Sequence, residues 1–505
     1  MQKSVIEYLY NTVSNNPDKN AVKDATGSVT FEELWNFAIS IATTINQTGS
    51  RNKPIGVYMP KGCKMVEAFA GISMSCNFYV PLDVKSPLTR ISSIIDVLDA
   101  DLIISDREHA DIIRKFCDRK VIEIEEVLEK PVVDDTWERK MEEQIDTDPV
   151  YSIFTSGSTG IPKGVVVSHR SVIDFVDWIK EVANLGPEDV IGNQAPFYFD
   201  NSTMDIYLMY STGATLCIIP EDRFMFPVRL VEFLNENKVS HILWVPYLMM
   251  NVVNMNIFEK TVPRYLKNVF FAGEVLPVKY LRYWQKYLPN CVFSNMYGPT
   301  EITDICCYYV VDRELDDTES IPIGHACRNT GLLVLVDGNR EASVGEEGEL
   351  CVRGSSLAMG YYNDWEKTKK AFVQNPLNSH YPETIYCTGD VVYKNTRGEL
   401  VYIGRKDSQI KHNGYRIELG EIENAVMNSE LVQNCCVVYD NQNKKIVLFY
   451  ESAQEFDVGV FRKRVCEMIP RYMFPNEFYK EEKLKQNGSG KIDRAYYKKL
   501  INDRV

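Results

Sequence analysis

A Gly- and Ser-rich loop between two apolar segments constrains the fold of this chain more than any other feature. Seven of the ten residues from Thr155 to Gly164 are Ser, Thr or Gly, and apolar residues flank the loop on both sides. The pattern predicts a strand, a flexible polar loop and a second strand. Glycines let the backbone approach an anion, and Ser156, Ser158 and Thr159 add hydroxyl donors. The loop therefore predicts a phosphate site, with Lys163 supplying a positive charge at its end.

Two other interpretations of the loop, a Walker A loop and a flexible linker, are disfavoured by its residues and by those that flank it. A Walker A loop needs Ser or Thr after its lysine to hold magnesium, but Gly164 follows Lys163. A Gly/Ser linker would not carry the Pro-Lys-Gly exit and the flanking β-branched segments that this chain has.

Length and charge limit the class of protein. A chain of 505 residues is too long for one core and predicts at least two domains. Its net charge of −14 argues against nucleic acid or an anionic membrane as a partner. No apolar run approaches the ~18 residues of a membrane helix, and the N-terminus lacks the apolar core of a signal peptide. We therefore expect a cytoplasmic protein without membrane insertion.

Cysteine and histidine give no sign of a structural metal site. The 13 cysteines are scattered without C-x-x-C spacing, and the six histidines lie far apart in the sequence. Buried, reduced thiols are the expected state of the cysteines.

Apolar segments of strand length alternate with helical patterns along the first 320 residues or so. The alternation predicts a parallel sheet covered on both faces, with ligands bound beyond the carboxyl ends of the strands. Polar segments follow three predicted strands, at Phe199–Ser202, Ala272–Glu274 and Ser294–Glu301, and are candidates for the site. Near the N-terminus, Thr30 and Glu33 have the spacing of a capping box at the start of a helix.

The pattern changes twice in the rest of the chain. From about Ile321, short strands with glycine turns indicate a small barrel or sheet. Near Asp407, a separate α+β unit begins. The predicted fold is α/β, with a large N-terminal domain (residues 1–406) of doubly wound β/α subdomains plus a small β-barrel-like subdomain. A small, mobile α+β C-terminal domain (residues 407–505) follows it.

Four segments together resemble the adenylate-forming superfamily, which includes acyl-CoA synthetases, luciferases and the adenylation domains of nonribosomal peptide synthetases. They read TSGSTGIPKG from Thr155, NMYGPTE from Asn295, TGD from Thr388 with GRKDSQIKHNGYRIELGEIE from Gly404, and NGSGKID from Asn487. The resemblance covers the chain almost end to end. The residues of these motifs are most similar to those of stand-alone D-alanine:carrier-protein ligases and of peptide-synthetase adenylation domains.

The resemblance implies ATP and Mg²⁺ as cofactors. Tyr297 offers an aromatic face to a purine, and Glu301 fits the magnesium glutamate of the superfamily. Asp390 resembles the residue that accepts from both ribose hydroxyls, and Arg405 resembles its basic partner. The implied catalytic residues are Thr155, Glu301 and Lys491. The implied nucleotide-binding residues are Thr155, Ser156, Gly157, Ser158, Thr159, Gly160, Lys163, Gly273, Glu274, Asn295, Met296, Tyr297, Gly298, Pro299, Thr300, Asp390, Tyr402, Arg405 and Lys491.

The implied reaction has two steps. A substrate carboxylate attacks the α-phosphorus of ATP and displaces pyrophosphate, and a thiol then takes the acyl group and releases AMP. Lys491 is expected to bridge carboxylate and phosphate in the first step. For the second step, the small domain is expected to rotate about Asp407, withdrawing Lys491 and bringing Lys411 and Arg416 to the nucleotide. Gly414 would then line the thiol tunnel.

Asp200 indicates which acid is activated. The segment FDNS resembles the place where amino-acid-activating members pair an aspartate with the α-ammonium group, whereas acyl-CoA and aryl-acid members usually lack that aspartate. With Lys491 at the carboxylate, Asp200 would recognise an α-amino acid by both ends. Phe199 resembles an aromatic residue that gates the pantetheine route.

The resemblance also implies a pocket for the side chain of the amino acid, but its residues indicate two different kinds of side chain. D-alanine ligases tend to have Cys at the position of Ala272 and an uncharged residue at that of Asp304. Bulky Met204, Phe270 and Met296 indicate a small or narrow side chain, whereas Asn201 and Asp304 indicate a polar or cationic one. Equally open is that Asp304 points to solvent or to a backbone donor. The implied positions are Phe199, Asp200, Asn201, Met204, Leu243 (or Trp244), Phe270, Ala272, Met296, Asp304 and Ile305.

The thiol acceptor is expected to be a separate phosphopantetheinylated carrier protein, because the chain ends fourteen residues after Lys491. The run Arg462-Lys463-Arg464 is a candidate docking patch, although such a run is usually a solvated helix face. Three alternatives stay open: a D-alanine:carrier-protein ligase proper, an acid-CoA ligase of the same fold, and an inactive nucleotide-binding relative. Asp200 argues against the second alternative, and the intact Lys491, Glu301 and Asp390 argue against the third.

Overall fold

The computed structural model describes residues 2–131, 134–157, 162–452, 455–486 and 492–502. The chain divides into two compact units. The first comprises Met1–Leu82, Leu98–Ile153 and Gly164–Lys406, and the second comprises Asp83–Val97, Phe154–Lys163 and Asp407–Val505. Both units are discontinuous, whereas the sequence predicts two continuous domains that meet at Asp407. The domain division stays a prediction.

The strands are named in chain order. They are β1 (Asn20–Lys23), β2 (Ser28–Thr30), β3 (Pro54–Tyr58), β4 (Phe78–Leu82), β5 (Leu102–Ser105), β6 (Lys120–Glu123), β7 (Pro149–Thr155), β8 (Lys163–Ser168), β9 (Val190–Asn193), β10 (Thr215–Ile218), β11 (His241–Trp244), β12 (Asn268–Ala272), β13 (Val292–Tyr297), β14 (Cys307–Val310), β15 (His325–Ala326), β16 (Thr330–Val336), β17 (Arg340–Glu341), β18 (Glu347–Gly354), β19 (Gly360–Tyr361), β20 (Phe372–Gln374), β21 (Thr384–Lys394), β22 (Leu400–Arg405), β23 (Gln409–His412), β24 (Tyr415–Glu418), β25 (Asn434–Asp440), β26 (Lys445–Glu451) and β27 (Glu477–Lys480).

The helices are numbered in the same way. They are α1 (Ile6–Asn15), α2 (Phe31–Asn46), α3 (Cys63–Met74), α4 (Leu88–Leu98), α5 (Arg107–Arg114), α6 (Ile124–Glu129), α7 (Thr136–Glu143), α8 (His169–Ala183), α9 (Asn201–Thr212), α10 (Glu221–Phe224), α11 (Pro227–Glu236), α12 (Pro246–Asn254), α13 (Val278–Tyr287), α14 (Trp365–Ala371), α15 (Leu419–Asn428), α16 (Val458–Cys466) and α17 (Arg494–Asn502). Within the described ranges, no helix combines the length and the apolar character needed to cross a bilayer.

Two large sheets belong to the first unit. The nine-stranded sheet has the order β15-β14-β13-β12-β11-β9-β10-β1-β2, and the seven-stranded sheet has the order β19-β8-β7-β4-β3-β5-β6. From β13 to β1 the neighbouring strands are all parallel. Strands β11 and β12 are buried along their whole length, as parallel strands covered on both faces must be. The predicted α/β class is confirmed.

The apolar core of the first unit has two main parts. One joins the two sheets through α2, α3, α8 and α9, and it includes Val57, Ile104, Ile191, Leu216 and Phe270. The other lies on the opposite face of the nine-stranded sheet, where residues such as Trp244, Phe271 and Trp284 pack with α11, α12 and α13. Successive residues of β11 and β12 therefore enter different cores, because side chains alternate along a strand.

The third sheet has the order β17-β16-β18-β21-β20, with β22 paired to β21. Its core contains Leu350, Val352 and Val392, together with Tyr297 and Ile302 from the end of β13 and the turn that follows it. The small subdomain predicted from the glycine turns is confirmed, and it packs beside the carboxyl end of β13.

The second unit combines the hairpin β23-β24, the sheet β25-β26-β27 and the helices α15 to α17. Val437 and Leu448 face one apolar cluster, whereas Val438 and Phe449 face another on the opposite side of the sheet. Both faces of this small sheet are therefore covered, which confirms the predicted α+β character.

Helix α2 begins at the predicted capping box. The Thr30 hydroxyl accepts a hydrogen bond from the Glu33 backbone N–H at 3.1 Å, and the Thr30 backbone N–H donates to Glu33 Oε2 at 2.8 Å. The two residues thus satisfy each other's donors at the first turn.

Candidate active site

The carboxyl end of β13 brings several predicted residues together. Asn295 and Met296 are buried in the strand, and the Asn295 amide donates to the Pro322 carbonyl at 2.8 Å. Gly298 follows, and a Cβ atom there would lie 1.9 Å from the backbone oxygen of Asp304. Only glycine fits this close approach. Pro299 and Thr300 then lead into a short 3₁₀ turn, Thr300–Ile302.

Asp390 has a hydrogen-bond donor on each of its carboxylate oxygens. It is 2% exposed, Tyr297 Oη donates to its Oδ2, and Arg405 Nη1 donates to its Oδ1 at 2.7 Å. Asp390 and Arg405 face each other directly across β21 and β22. Burial and the neighbouring Asp390 charge raise the pKa of Tyr297 well above its usual value, so the phenol keeps its proton and donates it. Tyr402 lies on β22, three residues before Arg405.

The turn that carries Asp390 is fixed by backbone contacts. Thr388 Oγ1 donates to the Leu350 carbonyl at 2.7 Å and accepts from the Asp390 N–H at 3.0 Å. Gly389 has a φ of +75°, and its carbonyl accepts from the Lys406 N–H at 2.9 Å. The three residues of the TGD motif thus hold one carboxylate in one orientation.

Glu301 lies in the 3₁₀ turn and is fully buried. Its Oε1 accepts a hydrogen bond from Tyr361 Oη at 2.8 Å, and its backbone carbonyl accepts from the Ala358 N–H at 2.9 Å. Tyr361 lies on β19, opposite Val165 of β8, the strand that leaves the phosphate loop. A carboxylate held in this way fits Mg²⁺, which takes one or two carboxylates together with substrate phosphate oxygens.

The phosphate loop is described only in part. Thr155 ends β7, and its buried hydroxyl has no hydrogen-bond partner among the residues that the structure describes. Ser156 Oγ donates to the Arg416 carbonyl at 2.8 Å, and Gly157 follows it. Lys163 begins β8. The remaining predicted residues, Ser158, Thr159 and Gly160, lie outside the described residues, as does Lys491.

Beyond β12 the chain turns sharply. Ala272 ends the strand, and Gly273 follows with a φ of +98°, a conformation that favours glycine. The nearest atom to a Cβ built at Gly273 is 3.9 Å away, so the space beside this turn is open. Glu274 comes next, at the predicted nucleotide-binding position.

Asp200 lies at the N-terminus of α9, where the helix dipole favours negative charge. Its Oδ1 accepts from the Asn201 N–H at 3.0 Å, and the side chain is almost wholly buried. The carbonyl of Phe199 accepts from both the N–H and the hydroxyl of Ser202, which fixes the first turn. Met204, one turn further along, is fully buried.

The remaining apolar pocket positions share one core. Leu243 faces Phe270 across β11 and β12, and Ala272 faces Met296 across β12 and β13. All four belong to the core between the two sheets, as do Met204 and Ile305. Trp244 instead enters the core on the opposite face of the sheet. The geometry therefore favours Leu243 over Trp244 as the pocket residue.

Asp304 is the least satisfied carboxylate of the set. It is 1% exposed, and neither carboxylate oxygen has a hydrogen-bond partner among the described residues. Burial raises its pKa well above the usual value, and the charges of Asp200 and Asp205 raise it further. Thr303 and Asp304 both have left-handed backbones, with φ of 57° and 70°. Within the described chain, Asp304 thus faces neither solvent nor a backbone donor.

The predicted hinge and thiolation residues lie in and before the hairpin β23-β24 of the second unit. Asp407 Oδ1 accepts from the Gln409 N–H at 3.1 Å. Lys411 faces Arg416 across the hairpin. Asn413 and Gly414 form its two-residue turn with φ of 53° and 85°, the Asn-Gly sequence that such turns prefer.

Three contributing residues fall outside the predicted set. Tyr361 holds Glu301, Asp205 acts electrostatically on Asp304, and Arg90 forms a buried ion pair with Glu421 in the second unit. Asp205 lies five residues after Asp200, close to the segment FDNS, whereas Tyr361 and Arg90 lie outside the segments that carry the resemblance. The sequence does not indicate the partners of these residues, which come from distant parts of the chain.

Metal-binding clusters are not found elsewhere: no group of three or more His, Cys, Asp or Glu side chains in the described ranges could hold a metal ion.

Comparisons with known proteins identify the family and the fold of this chain. The family model for AMP-binding enzymes matches residues 9–362. Zwittermicin A synthase ZmaJ of Bacillus cereus is 30% identical over 502 residues, which cover 97% of this chain and 94% of that protein. The D-alanine--D-alanyl carrier protein ligase of Bacillus licheniformis is 30% identical over 513 residues, which cover 98% of this chain and 99% of that protein. The adenylation domain AlmE of Vibrio cholerae, solved with glycyl-adenosine-5′-phosphate, has a TM-score of 0.84 at 21% identity, over 100% and 98% of the two chains.

Proposed function

We propose that this chain activates an amino acid as aminoacyl-AMP and transfers it to the phosphopantetheine thiol of a separate carrier protein. The chain belongs to the family of AMP-binding enzymes and is an ATP-dependent adenylating ligase. Relatives whose length this chain matches support the carrier protein as acceptor, since one is named as a carrier protein ligase.

One observation carries the choice of an amino acid. Asp200 presents a buried carboxylate at the N-terminus of α9, beside the apolar positions Met204, Phe270 and Met296. A buried carboxylate needs a cation or strong donors to remain ionised. The α-ammonium group of an amino acid is a cation that this carboxylate can pair with, whereas a fatty or aryl acid offers none.

The nucleotide side follows from Asp390 and Glu301. The Asp390 carboxylate, fixed by Arg405 and Tyr297, retains acceptor capacity for ribose hydroxyls, because each carboxylate oxygen has two lone pairs. Glu301 would hold Mg²⁺ together with phosphate oxygens, and the ion would supply charge neutralisation as pyrophosphate leaves. The orphan hydroxyl of Thr155 fits a phosphate oxygen.

The first step forms one bond and breaks one. A carboxylate oxygen of the amino acid attacks the α-phosphorus, and the bond from that phosphorus to the oxygen of pyrophosphate breaks. The protein's work is positioning and charge stabilisation. Lys491 is proposed to bridge the attacking carboxylate and the phosphate in the transition state.

In the second step, the carrier thiolate attacks the acyl carbon and AMP leaves with the electron pair of the broken acyl–oxygen bond. We propose Asp407 as the hinge for this step, with Gly414 beside the thiol and Lys411 and Arg416 at the nucleotide. The exposed run Arg462-Lys463-Arg464 on α16 is the proposed docking patch for an acidic carrier protein.

A D-alanine:carrier-protein ligase is the second candidate. Its support is the 30% identity over nearly the whole length of such ligases. Ala272 and Asp304 are the positions where this chain departs from them. An acid-CoA ligase is less well supported, since Asp200 would face no ammonium group.

The first test is pyrophosphate release from ATP across L- and D-amino acids, with fatty and aryl acids as controls. We expect one amino acid or one narrow class to dominate, and Asp200→Ala to abolish its turnover. Asp189→Asn removes a carboxylate that pairs with Lys267 at 2.6 Å, away from the site, and should leave the preference unchanged. Turnover only with acids that lack an amine would identify a CoA-type ligase.

The two steps separate in a second test. Lys491→Ala should lose adenylation but still transfer from preformed aminoacyl-adenylate to a carrier protein. A bulky residue at Gly414 should do the reverse. Equal loss of both steps in either variant would contradict a hinge between two states.

A further inference from the structure

Three buried carboxylates lie within electrostatic reach of one another near the end of β13. The charges of Asp200 and Asp205 both act on Asp304. Asp205 has a supporting network, since its Oδ2 accepts from the Asn193 amide at 2.8 Å and Asn193 Oδ1 accepts from Lys61 Nζ at 2.9 Å. Asp304 has no such support within the described chain. Asp205 is therefore held by a neighbouring side chain, whereas Asp304 has no hydrogen-bond partner among the described residues.

The backbone holds Asp304 in place despite this cost. Thr303 and Asp304 both occupy the left-handed region, which residues other than glycine adopt less readily. The Thr303 hydroxyl donates to the Ser356 carbonyl at 2.8 Å, and the Asp304 carbonyl lies against Gly298. Neighbouring segments thus fix the position of a carboxylate whose own oxygens they leave unsatisfied.

The charge balance of the pocket indicates what would complete it. The α-ammonium group of an amino acid neutralises one carboxylate, which the proposed function assigns to Asp200. A neutral side chain would leave Asp304 buried without a cation, and an unpaired buried carboxylate is costly. A substrate with two ammonium groups neutralises both carboxylates.

Resting on the proposed function, we propose that the activated amino acid carries a second ammonium group on a short side chain, and that Asp304 pairs with it. The class comprises 2,3-diaminopropionate, 2,4-diaminobutyrate and ornithine. Met204, Phe270 and Met296 are all bulky and buried, which favours a short side chain.

The test compares each diamino acid with its counterpart that lacks the terminal amine: 2,3-diaminopropionate with alanine, 2,4-diaminobutyrate with 2-aminobutyrate, and ornithine with norvaline. Pyrophosphate release gives kcat/KM for each. We expect one diamino acid to exceed its counterpart by about a hundredfold or more, because a site built around a polar group rejects the analogue that lacks it.

Asp304→Asn is the informative variant, since Asn tolerates the left-handed backbone that Asp304 adopts. It should lower kcat/KM for the diamino acid by about a hundredfold while leaving the counterpart equal or better. Asp304→Glu keeps the charge and should retain the preference with a shift towards the shorter diamino acid. Asp189→Asn is the matched control and should leave the ratio unchanged.

The outcomes distinguish this inference from the function on which it rests. A neutral amino acid as the preferred substrate, with Asp304→Asn leaving the panel unaltered, would overturn the role of Asp304 while the amino acid ligase stands. Activity only with fatty or aryl acids would overturn the proposed function itself. A diamino acid preference that survives Asp304→Asn would assign the second ammonium group to another residue.

Discussion

Asp390 and Asp304 are both buried carboxylates of the first unit, yet the protein treats them in opposite ways. Asp390 accepts from Tyr297 and Arg405, one donor for each oxygen. Asp304 is equally buried and has no donor among the described residues. Asp205 is intermediate, since Asn193 donates to one of its oxygens only.

The roles proposed for the two carboxylates account for the difference. The nucleotide is the same in every cycle, so the protein can build its contacts in advance and fix Asp390 before the ligand arrives. A specificity group gains by remaining unsatisfied, because the right substrate then removes a cost that the wrong one leaves in place. The contrast can be tested by replacing each aspartate with asparagine.

Asp390→Asn should have the largest effect. The substitution leaves the buried Arg405 guanidinium without its counter-charge, and breaking a buried pair costs about 4 kcal/mol. Chemical denaturation should report this loss of stability, and pyrophosphate release should report a fall in kcat/KM for ATP of about a thousandfold.

The matched control for Asp390→Asn is Glu346→Gln, which removes an exposed ion pair with Arg340 on the same sheet. Its denaturation midpoint should not move. If Asp390→Asn is as stable as the unmodified protein, the carboxylate is not held by its two partners in the way the structure indicates.

Asp304→Asn should change stability in the opposite direction. Because burial raises the pKa of Asp304, the folded chain keeps a proton that the unfolded chain has lost above pH ~4. The contribution of this group is therefore present at low pH and is lost as pH rises. The variant should match the unmodified protein near pH 4 and exceed it by about 3 kcal/mol at pH 8.

Denaturation curves at several pH values measure this difference. A variant that is less stable than the unmodified protein at pH 8 would mean that Asp304 has a favourable partner, and the contrast with Asp390 would disappear. Adding a saturating diamino acid should reduce the difference, because the substrate then supplies the missing cation.

Asp205→Asn should change the free energy of unfolding by an amount between those of Asp390→Asn and Asp304→Asn. Burial raises the pKa of Asp205 to about 7, so the unmodified protein should lose stability between pH ~4 and 7 and level off above that range. The variant should lack this part of the pH dependence and gain about 2 kcal/mol at pH 7, since one oxygen of Asp205 is satisfied already. A difference that continues to grow above pH 8 would assign the titration to Asp304 instead.

The sequence located the segments of the candidate site but not the pairing of its side chains. The predicted polar segments lie where β12 and β13 end and where α9 begins, and they contain Gly273, Tyr297 and Asp200. The reason is local: parallel strands are buried and apolar, and polar residues at their carboxyl ends are conspicuous. The capping box of Thr30 and Glu33 was likewise predictable because its signal is local, namely the spacing of two residues at the start of a helix.

What could not be predicted depends on contacts between distant residues. Nothing in the sequence near Glu301 indicates Tyr361, sixty residues away. Likewise, nothing near Asp304 indicates that its oxygens have no donor among the residues that the structure describes. The choice between Leu243 and Trp244 required strand register, because a shift of one residue exchanges the two faces of a sheet. The discontinuous units likewise arise from packing, which sequence order does not reveal.

Tyr297→Phe should have the smallest effect. It measures how much the phenol hydroxyl of Tyr297 contributes to holding the Asp390 carboxylate. The variant removes one donor while Arg405 continues to hold the other oxygen, so the expected loss is about 1.5 kcal/mol, with a rise in KM for ATP of about tenfold. Tyr309→Phe, on the neighbouring strand β14, removes a longer hydrogen bond of 3.3 Å to Asp312 and serves as the control with a smaller change. If Tyr297→Phe instead equals Asp390→Asn in both stability and KM, the phenol and not the guanidinium fixes Asp390. If it changes neither, Arg405 alone is sufficient, and the nucleotide side is less completely built in advance than its geometry suggests.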